Sequence, residues 1–140
     1  MQLNFDTENA PTKSADLADK DAWHDGDVVN FKVLSADLLE VVKDGNSRLK
    51  ANFLLQVLDG ANEGKNTFKD VWDPIANKGS QGYLKHLLGA MGVTPAKLNG
   101  GNVPLAMAAA VGGQFHATCR KVNDGKWTNW EDLTPRVPNN

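Results

Sequence analysis

The chain has 140 residues, 41% hydrophobic and 23% charged, with a net charge of −2, which suits one domain with a substantial core. No apolar run approaches the roughly 18 residues of a membrane-crossing helix, and the acidic start MQLNFDTENAPTKSADLADKD lacks a secretory apolar stretch. A lone Cys119 excludes an intrachain disulfide, and one cysteine with three histidines offers no zinc-ligand spacing, so a cytoplasmic chain without metal or other cofactor is expected.

Residues 1–22 are polar and contain Pro11. They read as a flexible acidic arm, with a short helix over 14–21 that Ser14 caps. Residues 1–27 hold seven acids and two bases, net −5, whereas 28–140 hold thirteen bases and ten acids, net +3. That split suits an electrostatic partner for the body; a solvated tail on an ordinary surface would give the same count. Trp23 is the first large apolar anchor, and 24–27 is a turn.

Residues 28–34 alternate, with Val29, Phe31 and Val33 on one face and Asn30 and Lys32 on the other. Residues 38–42 continue or restart this strand. A bulge at 35–37 would let one long strand bend and serve two sheets. Lys43-Asp44-Gly45-Asn46 is a hairpin turn. The next strand sets Leu49, Ala51, Phe53, Leu55 and Val57 against Arg48, Lys50, Asn52 and Gln56, with Leu54 and Leu58 breaking the polar side. Asp59-Gly60 closes it and Gly64 opens another over 65–72. There Lys65, Thr67 and Lys69 share one face, and Phe68 and Trp72 the other.

Asp73-Pro74 ends the sheet run. Leu84, Leu87, Leu88 and Met91 recur at helical spacing, which predicts a helix over 81–91 with Ser80 as its cap and Gly92 beyond its end. Thr94-Pro95 opens a short helix over 96–99, and 103–111 is an Ala-rich helix with Pro104 in its first turn. Residues 114–122 alternate again, Asn123-Asp124-Gly125 is a turn, and 126–133 is the last strand. The order is three strands, helices, two strands. It predicts an α+β, mainly β domain over 23–134: an OB-like five-stranded antiparallel barrel with a helical insert between strands 3 and 4. Residues 135–140 form an irregular tail.

Asn4-Phe5-Asp6, the VLDG of Val57 to Gly60, Gly64, the Val71-Trp72 pair and Gly92-Val93 together resemble a family of small bacteriophage single-stranded-DNA-binding proteins, formerly of unknown function. The resemblance spans most of the chain. It implies an OB-like fold, single-stranded DNA as ligand, a role in phage DNA replication or recombination, and the host cytoplasm. Many replication single-strand binders end in an acidic tail that recruits partners; this chain ends in Arg136-Val137-Pro138-Asn139-Asn140.

The residues themselves favour binding over catalysis. Asp70 and Asp73 flank Trp72, but no third acid can be placed beside them to hold Mg²⁺ for a nuclease. Cys119 shares the side of Phe115 and Ala117 and reads as core. His116 lies on the polar side with no evident partner. No phosphate-loop pattern follows Gly60 or Gly64. Single strands are held by cations on phosphates and aromatics under bases. The candidates are Lys32, Arg48, Lys50, Lys65, Lys69, Trp72, His116, Arg120, Lys121, Trp127 and Trp130. Lys32, Arg48, Lys50 and Arg120 can share the outer face. Trp127 and Trp130 are three apart and must face opposite ways, so at most one is core; for any single tryptophan, core packing is the ordinary fate. The expectation is a non-enzymatic binder of single-stranded DNA with little sequence preference. RNA, replication or recombination proteins and a second copy of the chain are further partners it leaves open, and no membrane is expected. The alternative is a phage structural or adaptor protein whose groove binds another protein.

Overall fold

The computed structural model describes residues 17–136. The expected arm therefore lies mostly outside the described residues, Ser14 included. Its last part is tied down. Leu17 bridges to Asn66, the Ala18 N–H donates to the Asn66 carbonyl at 2.8 Å, and Asp19 caps a 3₁₀ turn at Lys20–Ala22. Buried Asn62 accepts from the Asp19 N–H and donates to its carbonyl, both at 2.9 Å.

Strand β1 is Val28–Lys43, one unbroken strand of 16 residues. The expected irregularity is present one residue early, as a register shift between Val33 and Ser35 that leaves Leu34 as the extra residue. The shift changes the phase of burial. Before it, odd positions Val29, Phe31 and Val33 point inward; after it, Ala36 and Leu38 do. Strand β1 thus serves one sheet and not two. Strand β2 (Asn46–Val57) returns antiparallel through Asp44-Gly45, both with positive φ (53° and 78°). A two-residue turn of this hand needs positive φ at both positions, which Asp-Gly tolerates. Strand β3 (Asn66–Trp72) then pairs with β2.

Three helices follow: α1 (Lys78–Ala90), α2 (Pro95–Leu98) and α3 (Val103–Ala110). Helix α1 starts earlier than the leucine spacing indicates because Asn77, and not Ser80, is the cap. Its side-chain oxygen accepts from the Ser80 N–H at 3.0 Å. Asn102 caps α3 in the same way. Strands β4 (Gln114–Val122) and β5 (Trp127–Pro135) complete a sheet of order β3-β2-β1-β4-β5, antiparallel throughout.

The sheet is not closed into a barrel, which corrects the expected architecture. Strands β3 and β5 remain its two edges. The physical reason is a wedge. Helix α1 packs on both edge strands, and Leu87 meets Lys69 of β3 and Trp130 and Leu133 of β5 around a small void. The helices cover one face only. Their Leu84, Leu87, Leu88, Ala106, Met107 and Ala110 bury against the inward residues of β1, β2 and β4. At the centre Phe31 stacks on Phe115 at 5.3 Å and meets Trp130 edge-on at 5.0 Å, and Trp130 meets Trp23 at 5.0 Å. Among the described residues no helix is long and apolar enough to cross a membrane.

Gly113 joins α3 to β4 where the chain has no spare room. A Cβ there would lie 1.9 Å from the Met91 carbonyl oxygen, while the Gly113 carbonyl accepts from the Val33 N–H at 2.9 Å. Gly113→Ala is therefore expected to destabilise by about 1–3 kcal/mol or more. Gly82→Ala, mid-helix in α1 with open space around it, is expected to stabilise by about 0.5–1 kcal/mol. Urea midpoints for the two variants check both signs.

Candidate functional site

With helices on one face, the other face of the sheet is left open among the described residues. Register pairing gives its layout. On β3, Asn66, Phe68, Asp70 and Trp72 lie opposite Gln56, Leu54, Asn52 and Lys50 of β2. On β1, Lys32, Ser35, Asp37 and Leu39 lie opposite the same four β2 residues. Phe68 is 50% and Trp72 37% exposed. They are four residues apart on one strand, hence about 13 Å. Leu54 is half-buried beside Phe68, Asp70 and Asn52 lie between the two rings, and Leu39 is exposed beside Lys50.

Trp72 carries two cations. The Arg48 guanidinium carbon is 4.7 Å and the Lys50 ammonium 5.2 Å from the indole centroid. Both are held by carboxylates. Arg48 donates to Asp73 through Nε at 3.3 Å and through a terminal nitrogen at 2.6 Å. Lys50 donates to Asp70 Oδ2 at 3.2 Å, and the Asn52 amide donates to Asp70 Oδ1 at 2.6 Å. Backbone conformation supplies the first pair. Asp73 turns out of the strand at φ 51° while its N–H still donates to the Leu49 carbonyl at 2.8 Å. The hydrogen bonds from Arg48 hold the Asp73 carboxyl below the usual carboxylate range, and those same bonds raise Arg48.

The other expected residues divide among three places. Lys32 and His116 are on the open face, with Lys32 between Gln56 and Gln114. Arg120 shares that face but lies toward the start of β1, paired with Glu131 at 3.2 Å. Arg48 lies opposite Val41, and Thr118 opposite Val28. The Arg48 and Arg120 groups are therefore separated by on the order of 40 Å of strand, and they do not form one patch. Trp127, 62% exposed at the β4–β5 turn, belongs with Arg120; Trp130 faces the core, so the two tryptophans do point opposite ways. Lys69 and Lys121 point to the helix side. Lys69 lies 5.1 Å from the Tyr83 ring, and Lys121 donates to the Lys20 carbonyl at 2.6 Å and to Thr128 at 3.0 Å. Lys65 is exposed just before β3.

Phe68, Leu54 and Leu39 escaped the sequence reading as site residues. Their signal was parity, since Phe68 shares a face with Trp72. Cys119 is buried as expected, and burial pushes its thiol up. Among the described residues no three His, Cys, Asp or Glu side chains gather to hold a metal. A cleft of about 440 Å³ opens between the helices; among the described residues Lys85 is the one charged side chain lining it, beside Leu84, Leu88, Leu98 and Val103. Its walls are the helical layer and, with Pro74 and Ile75, the segment that follows β3; neither Trp72 nor Phe68 lines it. No protein-family model, curated protein or solved structure matches the chain.

A pH test follows from the Arg48–Asp73 pair. The folded carboxyl is depressed, so its stabilisation is present above the ordinary carboxylate range and is lost as pH falls through the lowered folded value. The Tm gap between wild type and Asp73→Asn is expected to be widest near neutral pH and to close in acid. A gap that stays constant down to acid would contradict the pairing.

Proposed function

We propose that the chain binds single-stranded nucleic acid, DNA before RNA, across the open face of β1, β2 and β3. The observation that carries this reading is the pair of exposed aromatics on one uncovered face, Phe68 and Trp72, with Lys50 and Arg48 against Trp72. Aromatic platforms take bases of any sequence because every base has a flat π face, and adjacent cations take the phosphates. Strand order supports the reading too. The order β3-β2-β1-β4-β5 is compatible with an OB-like arrangement left open between β3 and β5. Partly open OB folds bind oligonucleotides on the face of strands 2 and 3. The likeness of the VLDG and Val71-Trp72 motifs to phage single-strand-binding proteins points the same way, toward phage replication or recombination in a host cytoplasm. On this reading the chain is no enzyme.

A second reading has its own support. Arg48, Lys50 and Arg120 each face a carboxylate, and the face also exposes apolar groups, Leu54 paired with Phe68 and Leu39 at the level of Trp72. A protein partner of an adaptor or structural chain would use those groups with little need of net charge.

Titration with oligo-dT, followed by tryptophan fluorescence at two salt concentrations, separates the readings. Single-strand binding is expected to quench Trp72 and to weaken with salt along a linear log–log slope. Trp72→Ala and Phe68→Ala are each expected to lower affinity by about 1–3 kcal/mol, roughly 5- to 150-fold. Absence of quenching at low salt would favour the protein-binding reading.

A further inference from the structure

We infer that Asp70 and Asp73 are selectivity residues of the open face: they hold Lys50 and Arg48 against Trp72 and must be displaced by the phosphates of an incoming strand. The inference rests on the single-strand reading above. Its basis is that the two best-placed cations beside the aromatic platform are already engaged on both sides. Arg48 lies 4.7 Å from the indole centroid and makes two hydrogen bonds to Asp73; Lys50 lies 5.2 Å from it and bonds Asp70. A base stacking on that face of Trp72 must take the place of the guanidinium. The guanidinium then exchanges a carboxylate for a phosphate, two anions of matching fork geometry for it.

Two consequences follow from that exchange. First, a cation that leaves a carboxylate for a phosphate leaves a bare carboxylate behind, which draws a counterion back. The net release of salt ions is then smaller than the number of cations implies. Second, phosphate contact alone replaces one anion by another and gains little. The gain comes from the base that lands on the vacated ring. A duplex, with its bases stacked inside, offers the phosphate without the base. The carboxylates therefore bias the face toward unpaired bases.

Asp70→Asn and Asp73→Asn test this separately, so either variant alone carries the result. Asparagine retains an oxygen to accept from Asn52 at position 70, and it tolerates the positive φ of position 73. Oligo-dT and a duplex of equal length are titrated against the full chain over a salt series. For each variant the expected result is a gain in oligo-dT affinity of about 2- to 5-fold, the range of a surface ion pair. The salt slope is expected to steepen by up to about 0.7 per freed cation, and duplex affinity to rise by the larger factor, so that the single-strand preference narrows. If wild type binds oligo-dT while the variants keep its affinity, slope and preference, the selectivity role is overturned and single-strand binding stands. If neither wild type nor variants bind, the single-strand reading falls and the inference falls with it.

Discussion

The ring of Phe31 is packed by two strands distant in the chain and by the segment just ahead of its own strand. Phe115 of β4 stacks on it at 5.3 Å, Trp130 of β5 meets it at 5.0 Å, and Trp23, ahead of β1, lies 6.4 Å away. Beyond the area they bury, such aromatic contacts stabilise by about 0.5–1.5 kcal/mol each. Their larger consequence is directional. A strand has a period of two, so placing Phe31 inward places Asn30 and Lys32 outward, and register passes the choice to β2 and β4. The bulge at Leu34 resets the phase, so that Leu39 faces out beside Lys50. Which side chains reach the open face is therefore settled by packing on the closed one.

That dependence explains how a chain of small net charge can bring aromatics and cations together on one face of its sheet. The helices bury their core residues against one face of the sheet, and among the described residues no helix covers the other. Strand β3, at the edge, brings Phe68 and Trp72 there, and β2 brings the cations to them. Carboxylates then balance those cations locally. Large apolar groups that stay exposed on such a face are informative in a way that scattered ones are not.

Sequence periodicity carried some of this and not the rest, for identifiable reasons. Strand β2 was legible because Ala51, Phe53, Leu55 and Val57 alternate with polar neighbours, and all four are buried. The opposed directions of Trp127 and Trp130 followed from their spacing. On β3 parity was legible but its sense was not. Large rings normally go inside, yet here Thr67 and Val71 are buried while Phe68 and Trp72 stay out. Lys69 follows the buried parity because its long stem can lie along apolar surface. Barrel closure was not legible, because it depends on where α1 packs, and leucine spacing says only that α1 has an apolar side. The Arg48–Asp73 pair spans 25 residues and depends on a positive φ at Asp73 that no local pattern announces.

On the proposed reading, bases land on the open face. Photo-crosslinking of an iodouridine-substituted single strand to the full chain, followed by peptide mapping, tests that directly. Adducts on Phe68 and Trp72, lost when unlabelled oligo-dT competes, are the result the account predicts. Adducts confined to the helical layer, around Leu98 and Val103, with none on β3, would contradict it.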